Sequence, residues 1–175
     1  MSGSKPKNIV LTGFMGTGKT EVGRTLSLML GWRHVDIDEE IVKSKGMSIR
    51  EIFSRFGEPT FRDIETEKIR ELAIKEHVII STGGGAVLRQ ENLEILREKG
   101  VVVTLSATPE TILQRTANSD ERPLLQVEDP LSRIRELLDY RTSFYQEADI
   151  VINTESKPPR EIAVEILERI GWNKG

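Results

Sequence analysis

The stretch Gly13-Phe14-Met15-Gly16-Thr17-Gly18-Lys19-Thr20 decides the fold of this chain. It matches the phosphate-binding pattern G-x-x-x-x-G-K-[ST] at every fixed position, with an apolar segment before it at 9–11 and helical spacing after it at 21–30. Backbone N–H groups of such a loop, together with the start of the following helix, favour bound phosphates. We predict a nucleoside-triphosphate site in which Lys19 reaches the β- and γ-phosphates and the Thr20 hydroxyl ligates Mg²⁺. The predicted nucleotide-binding residues of the loop are Gly13, Gly16, Thr17, Gly18, Lys19 and Thr20.

Short segments rich in Val and Ile alternate with longer amphipathic segments along the whole chain. The pattern predicts strands at 8–12, 33–36, 78–81, 101–106 and 149–153, and helices that include 131–148 and 159–170. Ser48 and Glu51 form a predicted capping box that opens a short helix. The apolar runs at 101–103 and 150–152 predict strands covered on both faces. Residues 1–175 are therefore expected to form one α/β domain, an open parallel sheet with helices on both faces.

Composition excludes several classes of protein. The 175 residues include no cysteine, which excludes disulfide frameworks, zinc ribbons, iron–sulfur clusters and thiol nucleophiles. The two histidines are too few for a His-rich metal site. The net charge of −3 gives no reason to expect a nucleic-acid partner. No apolar run approaches the ~20 residues of a membrane helix, and no signal-peptide pattern opens the chain. We expect a cytoplasmic monomer that acts on small molecules, with no membrane or nucleic-acid partner.

Two carboxylates follow the second predicted strand. In an extended segment, Asp36 and Asp38 would point the same way about 7 Å apart. That separation suits Asp36 near Mg²⁺ and Asp38 on an acceptor hydroxyl. Alternatively, both residues only favour the N-terminus of a helix that starts near Glu39.

Three glycines, Gly83, Gly84 and Gly85, follow the third predicted strand at the sheet edge where parallel α/β folds bind ligands. They would let a small substrate approach the backbone closely, although a plain tight turn is the alternative. On the preceding helix, Arg62 and Glu65 are expected to face away from an apolar stripe, where an exposed ion pair is the simplest interpretation.

Two further arginines lie in the second half of the chain. Arg122 sits in the aperiodic segment 117–129, from which it could swing over the phosphates when that segment closes as a lid. Arg141 lies on the helix predicted at 131–148, among other charged residues, and alone would be interpreted as surface charge.

Taken together, these motifs resemble the shikimate kinase family over nearly the whole chain. The resemblance is carried by the phosphate loop, Asp36-x-Asp38, Gly57-Glu58 with Phe61-Arg62-x-x-Glu65, Thr82-Gly83-Gly84-Gly85, Arg122-Pro123-Leu124-Leu125, and Arg141 with Tyr145 and Ala148-Asp149. It implies a P-loop kinase fold, three-layer α/β/α with a five-stranded parallel sheet of order 2-3-1-4-5, a substrate-binding segment at about 37–65 and a lid at about 117–129. The implied reaction is transfer of the ATP γ-phosphate to the 3-hydroxyl of shikimate, with Mg²⁺, in chorismate and aromatic amino-acid biosynthesis.

The resemblance also implies a role for each matching residue. The implied catalytic residues are Lys19, Asp38 and the lid residue Arg122, and the implied metal-binding residues are Thr20 and Asp36. Arg115, Lys157 and Pro159 are implied to flank adenine, and Arg122 to reach the transferring phosphate. The implied shikimate site comprises Asp38 and Gly83, Gly84 and Gly85 at the hydroxyls, Arg62 and Arg141 at the carboxylate, and Glu65 steadying the arginine.

Two alternatives remain at this stage. One is another small P-loop kinase that acts on a sugar acid such as gluconate or on a nucleotide. The other is an ATP-dependent binding module that kept the fold and lost the chemistry, against which stands the joint presence of Lys19, Asp38 and Arg122.

Overall fold

The computed structural model describes residues 5–117 and 125–172, and within those ranges the chain forms five strands and seven α-helices. The strands are β1 (Asn8–Thr12), β2 (Arg33–Asp36), β3 (Val78–Ser81), β4 (Gly100–Ser106) and β5 (Ile150–Asn153). The helices are α1 (Lys19–Leu30), α2 (Ile37–Lys45), α3 (Ile49–Ala73), α4 (Gln90–Arg97), α5 (Pro109–Thr116), α6 (Pro130–Gln146) and α7 (Pro159–Arg169). A 3₁₀ turn spans Ala86–Leu88. No helix in the described ranges combines the length and the apolar character needed to span a bilayer.

The five strands form one parallel sheet of order β2-β3-β1-β4-β5, which confirms the predicted fold class. All five residues of the central strand β1 are buried. Its side chains alternate between two cores, because successive strand residues point to opposite faces. Ile9 and Leu11 pack in the core that contains residues of α1 and α7, whereas Val10 packs in the core on the other face. The sheet is thus covered on both sides, and its carboxyl edge is left to the loops.

The expectation that the last strand is covered on both faces is wrong. Val151 in β5 is 41% exposed. The strand is at the edge of the sheet and pairs only with β4 in the described structure. An apolar run of three residues identifies a strand but does not distinguish an edge strand from a central one.

The predicted capping box is present at the start of α3. The Glu51 backbone N–H donates to Ser48 Oγ at 3.2 Å, and the Ser48 backbone N–H donates to Glu51 Oε2 at 2.8 Å. The helix is interrupted at Gly57, which has φ 81° and ψ 167°, and Pro59 lies two residues further on. The initial short helix therefore ends at this break, and the second part of α3 enters the site at a different angle.

Part of the predicted lid, residues 118–124, lies outside the described residues, and Arg122 lies there. Leu125, at the end of that segment, packs partly buried against the core on the α3 face of the sheet.

Candidate active site

The site is built where β1 and β3 end side by side. The phosphate loop follows β1, and the three glycines follow β3. One residue beyond the β3 strand, the Thr82 backbone N–H donates to Leu11 O at 3.0 Å. Both loops therefore leave the carboxyl edge of the sheet together, at the place where open α/β sheets bind ligands.

The phosphate loop has the geometry that its glycines require. Gly13 has φ 133°, and a Cβ there would collide with the Leu105 carbonyl oxygen. Gly18, at φ 98°, precedes α1 and provides no side-chain cap, and the N-terminus of such a helix favours a bound anion. The Lys19 ammonium donates to Gly13 O at 2.7 Å and to Phe14 O at 2.9 Å. The Lys19 ammonium thus lies over the phosphate loop, where it could contact bound phosphates.

Arg115 on α5 connects the phosphate loop to the turn after β5. Its Nη1 donates to Gly16 O and to Thr154 Oγ1, both at 3.2 Å, and its Nη2 donates to Thr154 O at 3.4 Å. Lys157 lies in the same turn, but its Nζ pairs with Glu165 of α7 at 2.7 Å. Pro159 is the first residue of α7. The structure therefore places Arg115 against the phosphate loop and joins it to Lys157 through Thr154, whose backbone oxygen also accepts from the Lys157 N–H at 3.4 Å, while the Lys157 ammonium pairs with α7.

Asp36 and Asp38 do not lie on one extended segment, so that expectation from the sequence is wrong. Asp36 ends β2 and is the N-cap of α2, with Oδ1 accepting from the Asp38 and Glu39 backbone N–H groups at 2.9 and 3.2 Å. Asp36 therefore caps this helix, as the alternative interpretation expected, and its role near Mg²⁺ stays a prediction. Asp38 lies within the first turn of α2, and its carboxylate faces the three-glycine loop instead.

Each of the three glycines faces a different charged group. A Cβ added to Gly83 would lie 3.2 Å from both Asp38 carboxylate oxygens and 3.3 Å from Glu65 Oε1. A Cβ on Gly84 would lie 3.3 Å from Arg141 Nη1, and one on Gly85 would collide with the Arg62 guanidinium. A side chain at any of these positions would enter the space that these groups share. The structure thus brings together the residues predicted for the acceptor site, which come from α2, α3, α6 and the loop.

Glu65 and Arg62 were expected to face away from the core, and this expectation is wrong. Glu65 is 0% exposed, and its Oε2 accepts from Arg62 Nη1 at 2.8 Å. The reason is visible in the helical spacing, because Glu65 lies four residues after the buried Phe61 and four before the buried Ile69. The ion pair is part of the interior of the site. On the exposed side of this pair, Arg62 Nη2 also donates to Glu58 Oε1 at 3.2 Å.

Arg141 is buried in the same way. It is 7% exposed and lies on the stripe of α6 that also buries Leu137 and Tyr145. Its guanidinium carbon lies 5.7 Å from the centre of the Phe14 ring, over the phosphate loop. Tyr145, for which no role was predicted, donates from its hydroxyl to Gly84 O at 2.7 Å.

Burial dominates the electrostatics of the two carboxylates. Burial, then the neighbouring Glu65 and Asp36, raise the pKa of Asp38 from 3.8 to about 7, against smaller opposing effects of Lys19 and Arg62. Burial also raises the pKa of Glu65, despite the Arg62 guanidinium beside it. Although Asp38 as a whole is only half-buried, its Oδ1 is fully buried. That burial of one oxygen accounts for the direction of the shift.

Three of the buried polar atoms that lack a partner among the described residues belong to this site. They are Asp38 Oδ1, Glu65 Oε1 and Arg141 Nε. An unpartnered buried polar atom costs about 1–3 kcal/mol. Two acceptors and one donor around the glycines therefore favour a ligand that carries both hydroxyl groups and an anionic group.

The Thr20 hydroxyl and the Asp36 carboxylate are oxygen donors of the kind that suits a hard cation. No three His, Cys, Asp or Glu side chains of residues 5–117 and 125–172 are grouped to hold a metal by themselves. Mg²⁺ commonly uses one or two carboxylates and completes its shell with water and phosphate oxygens. The Thr20 hydroxyl and the Asp36 carboxylate, whose Oδ1 accepts both capping bonds, fit that requirement through Thr20 Oγ1 and Asp36 Oδ2.

A family model described as shikimate kinase matches residues 15–171. This chain belongs to the shikimate kinase family. The shikimate kinase of Thermodesulfovibrio yellowstonii is 51% identical to this chain over 162 residues, covering 93% of this chain and 94% of that protein. The resemblance drawn from the motifs is confirmed, and with it the assignment as an ATP-using kinase.

The solved structures separate this family from its fold relatives. A shikimate kinase from Acinetobacter baumannii, determined in complex with shikimate, superposes with a TM-score of 0.91 at 42% identity, covering 98% of this chain and 96% of that one. A gluconokinase from Sinorhizobium meliloti superposes with a TM-score of 0.64 at 21% identity, covering 97% of this chain and 94% of that one. The second likeness shows a shared fold only.

Replacing Asp38 by Asn is expected to stabilise the fold at alkaline pH. Because the folded-state pKa of about 7 lies above the ordinary value of 3.8, the folded state holds a proton that the unfolded chain releases. That contribution to stability is full below 3.8 and is lost as pH rises to about 7. The Asn variant lacks this loss, so its free energy of unfolding should exceed that of the wild type by on the order of 1–3 kcal/mol at pH 8.

Urea unfolding from pH 4 to pH 8 measures this difference, which should shrink toward acid pH. Asp139→Asn, an exposed carboxylate on α6, is the matched control and should follow the wild type at every pH. A stability difference for Asp38→Asn that stays constant with pH would contradict the raised pKa.

Proposed function

We propose that this chain catalyses transfer of the ATP γ-phosphate to the 3-hydroxyl of shikimate, giving shikimate 3-phosphate and ADP. The observation that carries the proposal is the lining of the three-glycine loop, where two carboxylates and two guanidinium groups meet a few ångströms from the phosphate loop. Membership in the shikimate kinase family supports the same reaction. It places the activity in chorismate and aromatic amino-acid biosynthesis.

The carboxylate of the acceptor binds between Arg62 and Arg141. Guanidinium groups suit a planar carboxylate because their N–H donors form a fork that matches its two oxygens. Both arginines are held beside adjacent glycines, and Arg62 is fixed by its bond to the buried Glu65. This arrangement selects an acid over a neutral sugar.

The ring hydroxyls of the acceptor bind on the carboxylate side of the loop. Asp38 Oδ1 and Glu65 Oε1 are buried acceptors that face Gly83, and hydroxyl groups would satisfy both. The flat surface of Gly83, Gly84 and Gly85 lets the ring approach the backbone. Asp38 thereby orients the hydroxyl that reacts.

The triphosphate binds on the phosphate loop and the start of α1. Lys19 exchanges its bonds to the loop carbonyls for β- and γ-phosphate oxygens, while Thr20 and Asp36 would hold Mg²⁺. Bound Mg²⁺ supplies charge neutralisation for the phosphate oxygens during transfer. Adenine lies toward Arg115, Lys157 and Pro159. Arg122, by resemblance the lid residue, lies outside the described residues.

The reaction is an in-line displacement at the γ-phosphorus. A bond forms between the acceptor hydroxyl oxygen and phosphorus as the bond from phosphorus to the β,γ-bridging oxygen breaks, leaving ADP. The hydroxyl proton passes to the Asp38 carboxylate, whose pKa of about 7 suits proton exchange near neutrality. Positioning and charge neutralisation by Lys19 carry most of the barrier reduction.

The first test is ADP release with Mg-ATP and a panel of acceptors. Shikimate is expected to support turnover, whereas quinate, gluconate, a nucleoside monophosphate and water should not. Activity on gluconate or a nucleotide instead would assign this chain to another kinase activity on the same fold. ATP binding without turnover on any acceptor would favour a binding module.

The monomeric state and cytoplasmic location expected from the sequence stay predictions.

Asp38→Asn should remove turnover while ATP binding remains. Loss of the orienting and proton-accepting oxygen should lower kcat about 10²- to 10⁴-fold, the range for a general base. Lys19 and the phosphate loop are untouched, so the Kd for Mg-ATP, measured by calorimetry, should stay within about threefold. Asp139→Asn controls for the loss of one carboxylate. Loss of ATP binding in Asp38→Asn would show that this division of roles is wrong.

Arg141→Lys should weaken binding of the acid substrate most. A lysine keeps the charge but loses the paired donors, and a lost charged hydrogen bond of about 1.5–3 kcal/mol raises the KM for shikimate about 10- to 100-fold. Arg135→Lys is the matched control, because Arg135 is an exposed arginine on the same helix that pairs with Glu110 at 2.6 Å. Steady-state kinetics with each substrate varied measures both effects. An unchanged KM for shikimate in Arg141→Lys would remove Arg141 from the acid site.

A further inference from the structure

Tyr145 joins α6 to the three-glycine loop, the two parts of the acceptor site that carry Arg141 and Gly84. It lies near the end of α6, is 7% exposed, and donates from its hydroxyl to Gly84 O at 2.7 Å. The bond crosses 61 positions of the chain, from α6 to the loop after β3. It therefore fixes the middle glycine of the loop relative to the helix that carries Arg141.

The other end of Tyr145 is tied to the central sheet. Its backbone oxygen accepts from Thr104 Oγ1 at 2.9 Å. Thr104 Oγ1 in turn lies 2.7 Å from Thr12 Oγ1, at the residue that immediately precedes the phosphate loop. Tyr145 is thus held at both ends, by Thr104 of β4 below and by the glycine loop above.

Arg141 lies on the same helix face, four residues before Tyr145. A Cβ on Gly84 would lie 3.3 Å from Arg141 Nη1 and 3.5 Å from the Tyr145 hydroxyl oxygen. The tyrosine hydroxyl and the guanidinium therefore share one small volume against the loop. Arg141 Nε has no hydrogen-bond partner among the described residues. The direction of the guanidinium therefore depends on how the group packs against its neighbours on α6 and in the loop.

We propose that Tyr145 is a positioning residue for the acid substrate, which sets the placement of Arg141 against the Gly84 backbone. This inference rests on the proposed function of the same site. Tyr145 does not touch the reacting atoms, since its hydroxyl proton is used on Gly84 O. Burial raises the pKa of the phenol against the smaller opposing effect of Arg141, so it stays a neutral donor at physiological pH.

Tyr145→Phe removes the hydroxyl and keeps the ring in the core. The KM for shikimate is expected to rise about 5- to 20-fold, corresponding to one buried hydrogen bond and its effect on Arg141. The kcat and the KM for ATP should change less than about twofold. Tyr140→Phe is the matched control, because Tyr140 is the other tyrosine of the chain, lies on the same helix and is 65% exposed. It should behave as the wild type.

A second measurement separates positioning from a general loss of folded enzyme. In an Arg141→Lys background, Tyr145→Phe should raise the KM for shikimate by clearly less than it does alone, because both changes act on the same guanidinium. Thermal stabilisation by saturating shikimate, which reports binding even without turnover, should fall in Tyr145→Phe and not in Tyr140→Phe. A reduced melting temperature with an unchanged KM would overturn the proposal. Effects of Arg141→Lys and Tyr145→Phe that multiply would overturn it as well.

The failure of the proposed function gives a different result. If the wild type phosphorylates another acid acceptor and not shikimate, the substrate assignment is wrong. The Tyr145 comparison is then made with that acceptor, and the same changes in KM decide it. An effect of Tyr145→Phe on KM for ATP alone would place its role at the phosphate loop and would contradict the proposal.

Discussion

The parallel register of β1 against β3 determines the geometry of this enzyme. The pairing runs from Asn8 opposite Val78 to Leu11 opposite Ser81, and the bond from the Thr82 N–H to Leu11 O extends it past the end of the strand. A slip of one residue would turn every inward side chain outward and would separate the phosphate loop from the glycines. Donor and acceptor substrates meet because two neighbouring strands end at the same level.

Around that edge of the sheet, two carboxylates and two guanidinium groups are buried close together. Asp38 and Glu65 face Arg62 and Arg141 across the glycines, and Lys19 lies close enough to lower the pKa of Asp38. Buried ion pairs seldom stabilise a fold, because the cost of removing charges from water offsets their attraction. The raised pKa of Asp38 and the unpartnered oxygens indicate that the free enzyme bears part of this cost. A substrate with matching hydroxyl and carboxylate groups removes it.

The sequence predicted the fold, and the residues that it proposed for the acceptor site come together around the three glycines, but their environments were not predicted. The phosphate loop and the alternation of strands and helices were sufficient for the architecture, because both depend on local pattern. Glu65 was placed on the wrong side of its helix, although its spacing from Phe61 and Ile69 marks it as buried. Arg141 likewise occupies the buried stripe of α6. A charged residue at a position of the apolar stripe was the sequence signal for burial. The groups that surround such a residue depend on tertiary packing, which the local sequence pattern does not describe.

The position of β1 in the middle of the sheet has a kinetic consequence. Its neighbours come from far along the chain, with Val78 and Asn8 bonded across 70 positions and Thr12 and Thr104 in contact across 92. Closing such long loops costs entropy before the contacts repay it, and proteins rich in non-local pairing fold slowly. The phosphate loop depends on such contacts as well, because Arg115 of α5 bonds to Gly16 O across 99 positions of the chain. Competence to bind either substrate should therefore appear late in refolding, once the distant strands and helices have docked on β1.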